Sequence, residues 1–336
     1  MLNEEQEKFV FVINHDSDIP KYQQLVNGIN NAIAENILQK GDLLPSVNAI
    51  CKENQLSRDT VFKAYSILKD QKIIDSVPNK GYYVSGETRK VLLVLDTFKA
   101  YKEVLYHSFV NNLPDNIITD VQFHHYNIEV FKTIINNSVG KYYKYVVMNF
   151  DDKEVSSILS AISNDKLLLI DWNIHSKKEN NYVFQDFGKA FYSALKEAVD
   201  LFKKYKSICF VYPDYTNHPK ETLESFKKFC IDFNFKNEII TDSKKFSIEK
   251  GVAYISISDR ILGHFLEQCK EKEFEPGQDV GFLSYNETPM KKFIYKGISV
   301  ISTDFKEIGT KAAAFITNDE VIQCYVPTSL ILRESL

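Results

Sequence analysis

Cysteine is sparse and unpatterned in this sequence. Cys51, Cys209, Cys230, Cys269 and Cys324 are odd in number, scattered and never paired as C-x-x-C. Neither a disulfide framework nor a thiolate metal site is predicted, and the expectation is free thiols in a reducing compartment. Long apolar runs are missing too: no stretch approaches the roughly 20 residues that span a bilayer. The acidic start "MLNEEQEKFVFVINHD" lacks the basic n-region and apolar h-region of a secretory signal. There is no G-x-S-x-G, no phosphate loop, no zinc-type H-x-x-x-H and no G-x-G-x-x-G. Together these absences predict a cytoplasmic chain with no membrane partner, no cofactor, no metal and no enzymatic activity. A strong charge of one sign is lacking as well. The formal net charge of -4 neither supports nor excludes a nucleic-acid partner, because a basic surface can be local and outvoted by the rest.

What is present is the composition of a globular protein, 44% hydrophobic and 26% charged over 336 residues, a length suited to two or three packed cores. Residues 20 to 86 read as three helices and a hairpin. "PKYQQLVNGINNAIAENILQKGD" puts Tyr22, Leu25, Ile29, Ala32, Ile33 and Ile37 on one face and stops at Gly41. "PSVNAICKEN" follows with Ser46 as N-cap, then "LSRDTVFKAYSILKD" with Ser57 as N-cap, burying Val61, Phe62, Tyr65 and Leu68. "KIIDSV", the turn "PNKG" and "YYVSG" make two short strands. This is the pattern of a winged helix-turn-helix, whose third helix enters the DNA major groove. It places Ser57, Arg58, Thr60 and Lys63 on the turn that meets DNA, where helix amides already favour phosphate.

From Val91 onward, short apolar runs such as "VLLVLD", "KLLLIDW" and "DVGFLSYN" alternate with amphipathic segments such as "YKEVLYHSFVNNL", "FGKAFYSALKEAVDLFKKY" and "RILGHFLEQCKEK". That alternation predicts parallel sheets covered by helices, in two lobes. "SGETRK" reads as the linker. The expected domains are therefore 1–86, a winged helix-turn-helix; 87–90, a linker; and 91–336, a two-lobed α/β domain.

The stretch "LLPSVNAICKENQLSRDTVFKAYSILKDQKIIDSVPNKGYYVS" resembles the DNA-binding domain of GntR-type transcription regulators. Gly41, Asp42, Leu44 to Ser46, Ser57, Arg58, Thr60, Val61, Gly81 and Val84 stand on matching positions. Asn48 departs from the usual arginine, and Asn79 and Lys80 stand where a second wing glycine is common. Farther on, "SISDRILGHFLEQCKEKEFEPGQDVGFLSYNETPM" and "GISVISTDFKEIGTKAAAFI" resemble the sugar-binding domain of lactose-repressor-type regulators, which shares its fold with periplasmic sugar-binding proteins. The resemblance implies a sugar-responsive regulator with a periplasmic-binding-protein-like body. Its partners would be double-stranded operator DNA and a sugar or sugar phosphate. A homodimer follows from the few base pairs that one recognition helix can read. The competing reading is a solute-binding or enzymatic α/β protein with an accessory helical head.

The candidate DNA contacts are Ser46, Ser57, Arg58, Thr60, Lys63, Asn79, Lys80 and Gly81, with Arg58 reading a base, Ser57, Thr60 and Lys63 holding phosphate, and Lys80 meeting the minor groove or a phosphate. The alternatives are a solvated helix face for Ser57, Arg58, Thr60 and Lys63 and turn chemistry alone for Asn79. The candidate ligand contacts stand where apolar strands end, because open α/β sheets bind ligands there. They are Asp96, Asp171, Trp172, Asp259, Arg260 and Asn286. Helix capping is the alternative for Asp96 and Asp259, and lobe packing the alternative for Trp172; Asp186 reads as a cap. His124 and His125, in "QFHHY", would point to opposite faces of a strand and so would not share a metal.

Overall fold

The computed structural model describes residues 13–78, 80–86, 88–174, 180–318 and 321–336. The chain forms two compact units, one running to Leu93 with Leu113–Gln122 and Asn137–Tyr145, the other made of Val94–Asn112, Phe123–Asn136 and Val146–Leu336.

In the first unit, α1 (Lys21–Ala34) turns Leu25, Ile29, Ala32 and Ile33 into a common core. Ile37, expected on the same face, is 56% exposed. The helix ends at Ala34 and Asn36 takes a left-handed conformation, φ 58°, so the chain leaves the helix axis and buries Leu38 instead. Ser46 caps α2 (Val47–Asn54), its hydroxyl accepting the Ala49 N–H at 3.2 Å. Ser57 caps α3 (Arg58–Asp70) in the same way through the Thr60 N–H.

The buried stripe of α3 is Val61, Ala64, Tyr65 and Leu68, an i, i+3, i+4, i+7 set. Phe62, expected inside, is 44% exposed because it stands one position off that stripe. A hairpin follows, β1 (Ile74–Val77) against β2 (Gly81–Val84), antiparallel with Val77 opposite Gly81. Gly81 has φ 99°, a conformation that closes this tight connection without the strain a side chain would bring.

The rest alternates strand and helix. First come β3 (Arg89–Leu95), α4 (Ala100–Asn111), β4 (Ile117–Phe123), α5 (Ile128–Ser138), β5 (Lys144–Met148), α6 (Val155–Leu159), β6 (Leu167–Trp172) and β7 (Asn181–Gln185). Then come α7 (Lys189–Glu197), α8 (Val199–Phe202), β8 (Ser207–Val211), α9 (Glu221–Asp232), β9 (Asn237–Ile240), β10 (Val252–Ser256), α10 (Asp259–Glu271) and β11 (Gly281–Tyr285). Last are β12 (Ser299–Thr303), α11 (Phe305–Thr317), β13 (Gln323–Val326) and β14 (Thr328–Ile331).

Two six-stranded sheets result, ordered β13-β7-β6-β5-β3-β4 and β14-β12-β11-β10-β8-β9. In the second sheet every pairing is parallel except β12 with the edge strand β14. Alternate residues of β8 go to opposite cores: Ile208 and Phe210 pack with α7 and α9, Cys209 and Val211 with α10. Both faces are covered, which is why the strand reads as a continuous apolar run. Cys209, Cys230 and Cys269 are buried, and burial pushes each thiol up to about 12, leaving them unreactive. No helix among the described residues is long and apolar enough to cross a membrane.

Candidate functional site

On α3, Ser57, Arg58 and Lys63 are exposed and Thr60 is half-buried. The Ser57 hydroxyl lies 2.8 Å from that of Thr60 while also accepting the Thr60 N–H, so this pair starts the helix as well as facing outward. The Arg58 guanidinium stands 5.8 Å from the centre of the exposed Phe62 ring, and the Lys63 ammonium 3.8 Å from that of Tyr22. Aromatic faces thus steady both cations, and among the described residues neither is paired with a carboxylate. Ser46 is exposed at the start of α2, and Lys80 and Gly81 are exposed at the hairpin tip. Asn79 lies outside the described residues.

A cleft of about 530 Å³ opens in the second unit where β3, β8, β10 and β11 end. Of the six residues expected to meet a ligand, Asp259, Arg260 and Asn286 line it. Asp259 and Arg260 form the first turn of α10. The Asp259 carboxylate sits 2.8 Å from the ammonium of Lys291, which is 1% exposed and also donates to the carbonyls of Tyr285 and Asn286 at 3.0 and 2.6 Å. Burial pushes this ammonium below the usual lysine range and Asp259 opposes the shift. Asn286 adopts φ 59°, and its Oδ1 is buried without a partner.

Asp96, Asp171 and Trp172 are not on the wall. Asp96, 3% exposed, accepts from the Lys102 ammonium, the Tyr126 hydroxyl and the Thr97 N–H. Burial pushes Lys102 down to about 8, with the negative Asp171 opposing. Asp171, at φ 80°, accepts from the Gln185 amide, and burial raises its carboxyl above the usual range. The Gln185 carbonyl oxygen in turn accepts from the Thr303 hydroxyl at 2.9 Å and the Tyr285 hydroxyl at 3.5 Å. Trp172 is half-buried against the core that contains Phe187, with its indole N–H 3.4 Å from a Glu221 carboxylate oxygen. Asp186 accepts from the N–H groups of Gly188 and Lys189 at 2.9 and 2.8 Å, capping α7 as its position suggests.

Sequence reasoning missed the aromatic part of the wall: Tyr101, Tyr126, Tyr215, His218 and Tyr285. His218 Nε2 lies 2.9 Å from the Thr222 hydroxyl, and its ring stands 4.9 Å from that of Tyr285. Burial, aided by Lys99, pushes its imidazole down to about 3, so it is neutral at any ordinary pH.

His124 and His125 follow the end of β4 in a turn, not within the strand. His124 is fully buried, stacked on Phe150 at 4.6 Å with Nε2 3.0 Å from the Met148 carbonyl. Among the described residues no group of His, Cys, Asp and Glu is arranged to hold a metal ion. Burial pushes His124 down to about 4. The unfolded histidine titrates near 6.5, so between these values the unfolded chain binds the extra proton. Stability is complete above the higher value and falls as pH drops toward the lower. Urea unfolding should show His124→Asn losing about 2 kcal/mol less than wild type between pH 7.5 and 5; equal losses would mean that His124 is protonated inside the fold.

Residues 21–84 match the family profile "Bacterial regulatory proteins, gntR family". Over 93 residues the chain is 32% identical to the HTH-type transcriptional repressor YtrA of Bacillus subtilis (strain 168), covering 28% of this chain and 71% of YtrA. The chain covers 16% and 15% of the length of two other helix-turn-helix regulators that it matches, from Bacillus subtilis (strain 168) and Escherichia coli (strain K12). Among solved structures, the trehalose repressor from Escherichia coli superposes with TM-score 0.61 at 14% identity, over 73% of this chain and 100% of that one. A LacI family transcriptional regulator from Lactobacillus casei with bound sucrose gives 0.60 at 9% identity, over 74% and 99%. These likenesses are of fold, and the expected architecture of a winged helix-turn-helix followed by two parallel-sheet α/β lobes holds.

Proposed function

Because the chain belongs to the gntR family of bacterial regulatory proteins, we propose that it is a cytoplasmic, sugar-responsive transcription regulator acting as a homodimer on operator DNA. One observation carries this reading: the matched segment presents Arg58 and Lys63, with no carboxylate partner among the described residues, on the exposed first turns of α3. Arg58 reads a base edge in the major groove, and Ser46, Ser57, Thr60, Lys63 and the wing residues Asn79, Lys80 and Gly81 hold phosphates. Residues 1–86 act as the reading head, 87–90 as the linker and 91–336 as the effector domain. The effector, a sugar or sugar derivative, occupies the cleft. There Asp259, Arg260 and Asn286 bind it directly, and Asp96 and Asp171 fix Tyr126 and Gln185 from behind; Trp172 braces the lobe. The sugars bound by structurally similar regulators support the effector class. An effector acts on DNA affinity only through its differential affinity for two forms of the protein.

The test is operator selection followed by binding assays over a range of salt concentrations. Arg58→Ala should cost about 1 to 3 kcal/mol on the selected site and relax preference at one base position. Lys63→Ala should weaken all sequences alike and lower the salt slope by about one. Equal operator affinity for wild type and Arg58→Ala would sink the assignment.

A further inference from the structure

We infer that the cleft is built for an anionic effector, a sugar bearing a phosphate or carboxylate, with the anion held between Lys99 and Arg260. This deepens the effector reading above and rests on it. Neutral sugars are usually gripped by carboxylates and amides that accept from paired hydroxyls. Here the one carboxylate on the wall, Asp259, is engaged by the buried ammonium of Lys291. Of the carboxylates behind the wall, Asp96 and Asp171 are taken by Lys102, Tyr126 and Gln185, Asp186 by the N–H groups of Gly188 and Lys189, and Glu221 faces the Trp172 indole N–H. Lys99 and Arg260 line the cleft, are exposed, and have no carboxylate partner among the described residues. Among the described residues the wall thus carries two cations without a carboxylate partner and one carboxylate, Asp259, whose charge is balanced by Lys291.

Backbone polarity adds to this. Lys99 is the N-cap of α4 and Ser258 the N-cap of α10, helices of 12 and 13 residues whose starts both face the cleft. Neither cap uses its side chain to satisfy first-turn amides, so the N–H groups and positive helix ends add to the two side-chain cations. Lys99 and His218 line the same cleft, and the Lys99 charge adds to burial in lowering the basicity of His218. His218, held neutral, adds a hydrogen-bonding group without adding charge.

The experiment is a calorimetric titration of the full chain with hexose and pentose monophosphates, uronic and aldonic acids, and the corresponding neutral sugars. The expected result is saturable binding of at least one anion, with its neutral parent about tenfold weaker or more. Lys99→Gln and Arg260→Gln should each weaken the anion about tenfold or more, whereas Arg260→Lys keeps most of the affinity. Both side chains are exposed, so the variants should fold, and DNA binding without effector provides the check. A neutral sugar that binds as tightly as its anionic derivative, or anion affinity untouched by both glutamine variants, overturns the inference and leaves the sugar reading standing. Binding by no member of either class overturns both.

Discussion

Gly309→Ala should destabilise the second unit by about 3 kcal/mol or more, shown by a lower denaturant midpoint. A Cβ at Gly309 would sit 2.4 Å from the Leu105 carbonyl oxygen, 2.8 Å from the Phe109 nitrogen and 2.8 Å from the Ser108 Cβ. The first two are backbone atoms of α4 and cannot rotate aside. The crossing is also stitched beside the glycine, since the Ser108 hydroxyl donates to the Lys306 carbonyl at 2.7 Å and meets the Thr310 hydroxyl at 3.1 Å. Admitting one methyl group means prising α4 from α11 and losing these bonds. Gly263→Ala is the control: on the exposed face of α10 an added Cβ meets nothing within 4 Å, so helix propensity alone predicts a gain of about 0.5 to 1 kcal/mol. If both variants unfold alike, the close approach of α4 and α11 is wrong.

Lys102→Met should cost about 3 to 5 kcal/mol, because it strands the buried Asp96 carboxylate without its cation. Lys102 is 1% exposed and Asp96 3%, so water cannot substitute. The double variant Asp96→Asn with Lys102→Met should recover most of the loss, since two neutral groups of similar volume carry no unpaired charge. In the single variant Asp96 is free to take up a proton. Its folded pKa then rises above the unfolded value, so the variant's deficit should shrink as pH falls and grow as pH climbs. A deficit below about 1 kcal/mol at neutral pH would mean that the pair contributes little.

Legibility in the sequence followed locality. Ser46 and Ser57 were readable as caps because capping spans three residues. The error at Phe62 came from composition overriding period: Val61 and Phe62 are both apolar, but only Val61 is in step with Ala64, Tyr65 and Leu68. The strands β7 "NYVFQ", β9 "NEII", β13 "QCYV" and β14 "TSLI" escaped notice because each is short and polar-spotted, and forms by joining an existing sheet. At the cleft, Asp259, Arg260 and Asn286 were legible from strand ends. Tyr126 was not. It reaches the wall through a turn in which His125 and Tyr126 both take left-handed angles, φ 51° and 57°, and side chains of that size give no local signal for such a bend. Asp96 and Asp171 stand at strand ends as expected, yet their partners Lys102 and Gln185, each on the following element, decide that they face inward.

Gln185 also sets a mechanical condition. Its amide donates to Asp171, while its oxygen accepts from Thr303 and Tyr285, and the Thr303 hydroxyl meets that of Thr328 at 2.7 Å. A flipped amide would set its carbonyl oxygen against the Asp171 carboxylate oxygen, acceptor on acceptor, so the amide N–H faces Asp171. These bonds join the end of β7 in one sheet to β11, β12 and β14 in the other. Any swing of one sheet's loops toward the other's that preserves them must turn about this point. In such a swing Gln185 would be the axle, and residues bonded to it would travel least.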